Sequence, residues 1–126
     1  MTVAYLCVIF AMILPVLLAG YAKLNAGFRP RDNRAPRDFL ARIEGKALRA
    51  RWAEQNTYEA LPAFFAAVVI AHQLQAEQAL VDQLALAFIG LRLLYVWCYI
   101  HDRAALRSLV WMAGLGCTIA LVVIGF

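Results

Sequence analysis

The residues of this chain best equipped for chemistry fall on two stripes. Arg49, Trp52, Asn56 and Glu59 follow one another at intervals of three, four and three, which an α-helix gathers onto one face. Arg92, Tyr95, Tyr99 and Arg103 follow at three, four and four, with Arg107 four further on. Guanidinium groups grip carboxylates through paired N–H donors, an asparagine amide pairs with peptide amides, and tyrosines add hydroxyls. Together they suit a small, anionic, peptide-like ligand.

The elements that must carry these stripes are membrane helices. The chain has 126 residues, of which 64% are hydrophobic and 16% charged, and its mean hydropathy is +0.70. Such a composition leaves no polar exterior for a soluble domain. The expected fold is an all-α integral membrane protein, a single domain forming a four-helix transmembrane bundle with spans near 2–24, 54–74, 80–100 and 108–126. Thr2 to Leu24 reads as a span rather than a signal peptide, because no basic residue precedes the apolar run and no small-x-small site follows it. Pro15 is expected to kink it.

The second span is the informative one. Its apolar run, Leu61 to Leu74, is shorter than the roughly 20 residues a helix needs to cross. A helix starting around residues 39–46, its pattern interrupted at Pro62, must therefore carry Asn56 and Glu59 into the membrane, with Glu54 and Arg51 near the boundary. A central charge there costs about 2.5 to 3.5 kcal/mol even on a lenient insertion scale, so partners are required.

The charge pattern sets the orientation. Nine of the twelve Lys and Arg residues lie between Lys23 and Arg51, and none lies in the turn near Gln75 to Gln78. The basic connection, about 25–44, is expected in the cytoplasm and against anionic head groups, with both termini on the far side. The net charge of +4 does not point to nucleic acid, since no nucleic-acid-binding motif accompanies it. Cys7, Cys98 and Cys117 are odd in number and lack CxxC spacing, so they read as packing residues, and neither metal site nor disulfide is expected. Gly114, Gly116 and Gly125 suit close helix approach in the last span.

An antiparallel hairpin turning near Gln75 and Ala76 brings the two stripes to matching depths. Glu59 comes level with Arg92, Asn56 with Tyr95, and Trp52 with Tyr99, within about one helical turn. An ion pair between Glu59 and Arg92 is expected, serving either to bind a ligand or simply to lock the two helices together.

In their order and spacing these residues resemble the MAPEG family, the membrane-associated proteins in eicosanoid and glutathione metabolism. NTYEALP, Asn56 to Pro62, is similar to the family's Asn-x-x-Glu followed by Pro, and RLLYVWCY, Arg92 to Tyr99, to its Arg-x-x-Tyr-x-x-x-Tyr. RAALRS, Arg103 to Ser108, resembles the turn before the last helix in the prostaglandin synthase branch. The resemblance implies a homotrimer of four-helix bundles that binds glutathione between subunits as co-substrate, open to the cytoplasm.

It further implies a glutathione transferase or peroxidase acting on lipophilic electrophiles or lipid hydroperoxides that arrive from the membrane lipid beside the first and last spans. A bacterial inner membrane, with periplasmic termini, is the implied location. Asn56, Glu59, Arg92, Tyr95 and Tyr99 would hold glutathione, and Arg107, or in its place Arg103, would stabilise the thiolate, since a guanidinium beside sulfur favours the charged nucleophile. One position departs from the family pattern: Trp52 stands where an Arg four residues before the Asn is usual. Arg49, on the Asn56 face, and Arg51 are the expected substitutes. A non-catalytic lipid-binding or small-molecule-binding scaffold, as in one branch of the family, is the alternative.

Overall fold

The computed structural model describes residues 1–126 as helices joined by short connections. α1 covers Val3–Asn25, α2 Pro36–Leu40, α3 Gly45–Gln73, α4 Gln78–Ile100 and α5 Ala104–Val123, with a 3-10 turn at Pro30–Arg34. There are five α-helices where four were expected. The extra one, α2, is five residues long and lies in the basic connection read as loop, where Pro30 and Pro36 each start a turn because their ring presets a helical φ.

Three helices, α1, α4 and α5, are long and apolar enough to cross a membrane. The longest helix is not, although it has 29 residues. Its first half carries Lys46, Arg49, Arg51, Glu54 and Glu59, whereas its second half is apolar to Ala71. α3 continues through Pro62 without a break, and Pro62 stands on its exposed side.

α3 and α4 each pack against both α1 and α5 as well as against each other. The largest core joins Ala4, Cys7 and Ala11 of α1 to Leu61, Phe64 and Val68 of α3, with Val81, Ala85 and Phe88 of α4 and Leu121 of α5. Small residues let the backbones close up, which matters in lipid, where burial from water supplies no attraction between helices and packing must. Phe64 and Phe88 fill the centre, stacked with ring centroids 4.0 Å apart.

The ends are tied by polar contacts. Asp82 Oδ1 accepts from the backbone N–H of Ala4 at 2.8 Å, and Thr2 Oγ1 accepts from that of Tyr5 at 3.3 Å, so two donors otherwise orphaned at the start of α1 find acceptors. His72 of α3 stacks on Tyr5, centroids 4.4 Å apart. Between α3 and α4 the chain reverses through Gln75, whose φ of 55° is the left-handed conformation common just past a helix end.

Candidate functional site

The hairpin brings the two stripes together, with a change of partner. Arg92 Nη1 donates to Asn56 Oδ1 at 2.8 Å, and Asn56 Nδ2 donates to Glu59 Oε2 at 3.4 Å. The expected Glu59 to Arg92 ion pair does not form; Asn56 stands between them. Glu59 lies about 60° further round α3 than Asn56 and is exposed, while Arg92 is buried. A neutral amide also spares the desolvation of a carboxylate, which a buried ion pair must offset. The sole ion pair joins Arg51 Nη1 to Glu54 Oε1 at 2.7 Å, three residues apart on α3.

An aromatic ladder runs from Arg92 toward the end of α4. The Arg92 guanidinium lies 4.4 Å from the Tyr95 ring centroid, Tyr95 meets Tyr99 edge-on at 5.6 Å, and the Arg107 guanidinium lies 4.2 Å from the Tyr99 centroid. Trp52 of α3 closes on Tyr99 from the side, centroids 6.1 Å apart. Two guanidinium groups are thus held on ring faces, where cation–π attraction orients them while leaving N–H donors free.

Of three recesses in this region, two border the ladder. A cleft between α3 and α5 has a buried floor of Phe88, Arg92 and Thr118, and rims at Asn56, Ala60, Glu59, Ala63, Trp111 and Leu115. A second recess holds Arg107 together with Asn56, Tyr95, Ser108, Trp111 and Met112. Asn56 and Trp111 border both, so the two are adjoining compartments. The third, polar groove lies on the other side of α3, where Lys23, Arg37 and Arg51 face Glu54, Gln55, Tyr58 and Glu59.

The remaining sequence candidates lie apart from the Asn56 and Arg107 compartments. Arg49 Nε donates to the carbonyl of Ile100 at 3.0 Å, capping the end of α4. Arg51 borders the polar groove. Arg103 is exposed at the start of α5 and borders none of the three recesses. Several bordering residues were not singled out from sequence. Trp111 looks like any aromatic of an apolar span, and Lys23 and Arg37 look like loop charge; only the packing of α1 and α2 on α3 sets those two beside Arg51.

The fold and this recess define a class: a helical membrane protein with a cationic, aromatic-walled site between its long helices. The comparison with known families names it. The MAPEG family model matches residues 1–126, the whole chain, and the chain belongs to the MAPEG family. Glutathione transferases and peroxidases are found in that family, as are members without catalytic activity. No curated protein and no solved structure matches the chain.

Proposed function

We propose that this chain is a glutathione-dependent transferase or peroxidase of the membrane, acting on lipophilic electrophiles or lipid hydroperoxides, with Arg107 stabilising the glutathione thiolate. The observation that carries the reading is Arg107 itself, set on the Tyr99 ring at 4.2 Å in a recess shared with Asn56 and Tyr95. A guanidinium keeps its charge at any physiological pH, so sulfur beside it ionises more readily and is the stronger nucleophile at neutral pH.

Asn56, Glu59, Tyr95 and Tyr99 bind the tripeptide in this account, the amide of Asn56 meeting a peptide group while Arg92 holds that amide in place through its hydrogen bond to Oδ1. Arg51 lies about 140° around α3 from Asn56, in the groove of Lys23 and Arg37. It therefore serves a glutathione held at Asn56 only across a contact between copies, which supports a homotrimer with shared sites. Within it α3 is the fourth membrane crossing, its polar half sheltered by neighbours as intramembrane charges require. The basic connection faces the cytoplasm of a bacterial cell, glutathione enters from there, and the termini are periplasmic.

The second reading, a non-catalytic scaffold that binds lipid or a small molecule, is favoured by Trp52, an exposed aromatic where the family pattern has a carboxylate-binding Arg. Conjugation of glutathione to chlorodinitrobenzene by the purified protein separates the two. The enzyme reading expects turnover that falls at least about 100-fold in Arg107→Ala, the scale of losing a charge-stabilising donor, and stays within about threefold in Arg103→Ala, a surface change. Wild-type turnover in Arg107→Ala overturns the role of that residue, and no turnover by the wild type leaves the scaffold.

A further inference from the structure

The cleft between α3 and α5 shares its rim at Asn56 and Glu59 with the glutathione site and continues past them to Ala63, Leu115 and a floor of Phe88, Arg92 and Thr118. Its volume is about 170 Å³, and a cavity of roughly 150 Å³ accommodates benzene, so a group of about seven heavy atoms fits by the same measure. Most of the lining is apolar, but the floor is not. The Arg92 guanidinium brings several N–H donors and no acceptor, yet its one hydrogen bond goes to Asn56, and Nε is buried without a partner. Thr118, beside it, already donates its hydroxyl proton to the carbonyl of Gly114 at 3.2 Å.

We infer that this cleft holds the electrophile, an unbranched α,β-unsaturated aldehyde or ketone whose carbonyl oxygen accepts from the Arg92 guanidinium. The inference rests on the glutathione reading, which supplies the nucleophile. Because Asn56 and Trp111 border both compartments, the β-carbon of a molecule anchored at Arg92 can face the Arg107 recess. The thiolate lone pair then forms the C–S bond at that carbon. The C=C electron pair shifts toward the carbonyl, whose oxygen becomes an enolate, and a proton from water returns to the α-carbon. Nothing departs and nothing is oxidised.

A fixed guanidinium suits this step, since it stabilises the developing oxyanion without having to release a proton. Membrane lipid is the other source of carbonyl groups. Arg92 lies eight residues before the end of α4, about 12 Å along the helix, whereas lipid ester carbonyls lie in the interfacial layer outside the hydrocarbon core. The depth favours a free small molecule.

Equilibrium dialysis of hexenamide, an unreactive analogue of hexenal, against the full chain in detergent without glutathione reads the cleft directly. One hexenamide per chain is expected, with affinity reduced at least about tenfold in Ala63→Leu, which puts side-chain volume into the mouth. Hexenal conjugation should show a matching rise in KM in Ala63→Leu while the bound-thiolate signal of glutathione persists. In Arg92→Lys, which keeps the charge but loses the planar fork, kcat with hexenal should fall by more than glutathione affinity does. Equal hexenamide affinity in wild type and Ala63→Leu overturns the proposal, as does displacement of hexenamide by excess phospholipid. Hexenamide binding without conjugation of any electrophile removes the glutathione reading and keeps the cleft as a carbonyl site. Chlorodinitrobenzene turnover without hexenamide binding does the reverse.

Discussion

Asn56 links the polar residues because its amide does opposite things at its two ends, accepting from Arg92 and donating to Glu59. Asn56→Ala takes the only acceptor from a buried guanidinium and should destabilise the fold by about 1 to 3 kcal/mol, read by thermal unfolding in detergent. Asn56→Asp keeps an acceptor for Arg92 but sets a second carboxylate beside Glu59, so it should recover most of that stability while weakening the binding of an anionic ligand. Unchanged unfolding in Asn56→Ala would show that Arg92 finds another partner. The sequence brought Arg92 to the right depth, and the Trp52 to Tyr99 contact at the same level followed from the same register. It chose Glu59 where the structure has Asn56, because the two are one turn apart and an arginine side chain reaches either; the rotation of α3 about its axis decides, and helix packing sets that.

Among the elements, α3 carries the chemistry and its neighbours fix its position. Arg49 joins the beginning of α3 to the end of α4 through the Ile100 carbonyl, so Arg49→Gln should lower stability by about 1 to 2 kcal/mol, the scale of a hydrogen bond from a charged donor. Glutathione affinity should stay within about twofold, as for a residue outside the site; a tenfold loss would return Arg49 to the binding set. At the other end, Asp82→Ala removes the acceptor for the Ala4 amide and should speed hydrogen exchange at the start of α1 with little change in the middle of α3. Helix lengths and the hairpin turn were legible because apolar runs and their punctuation are local. That Arg49 and Arg51 differ in role was not. Both sit at the polar beginning of one helix, and only its packing sends one to a helix end and the other to a groove.

At the scale of the molecule, the question is why a helix too polar to qualify as a membrane span by composition occupies the middle of a membrane protein. Its polar side chains fall on both sides of α3, with Asn56 toward α4 and α5, Arg51 and Glu54 toward Lys23 and Arg37, and Glu59 bordering both. Assembly of several copies would bring the second set to the first. Mixed oligomers test this: Asn56→Ala and Arg51→Ala, each expected to bind glutathione at least about tenfold more weakly alone, should regain part of the binding when co-expressed, because some interfaces then combine two intact halves. No recovery in mixed oligomers would confine each site to one chain. The charge asymmetry of the sequence carries the orientation proposed above, but a surface completed by another copy would leave no periodic mark in a single chain.

The central claim is that glutathione is held here as a thiolate by Arg107, and the ultraviolet absorbance of the thiolate, titrated with glutathione at neutral pH on the purified oligomer, tests it most directly. The account predicts a saturable thiolate signal in the wild type and in Arg103→Ala, and its loss in Arg107→Ala even at glutathione concentrations where equilibrium dialysis still detects bound ligand. A thiolate signal of wild-type size in Arg107→Ala, or none in the wild type with glutathione bound, would contradict it.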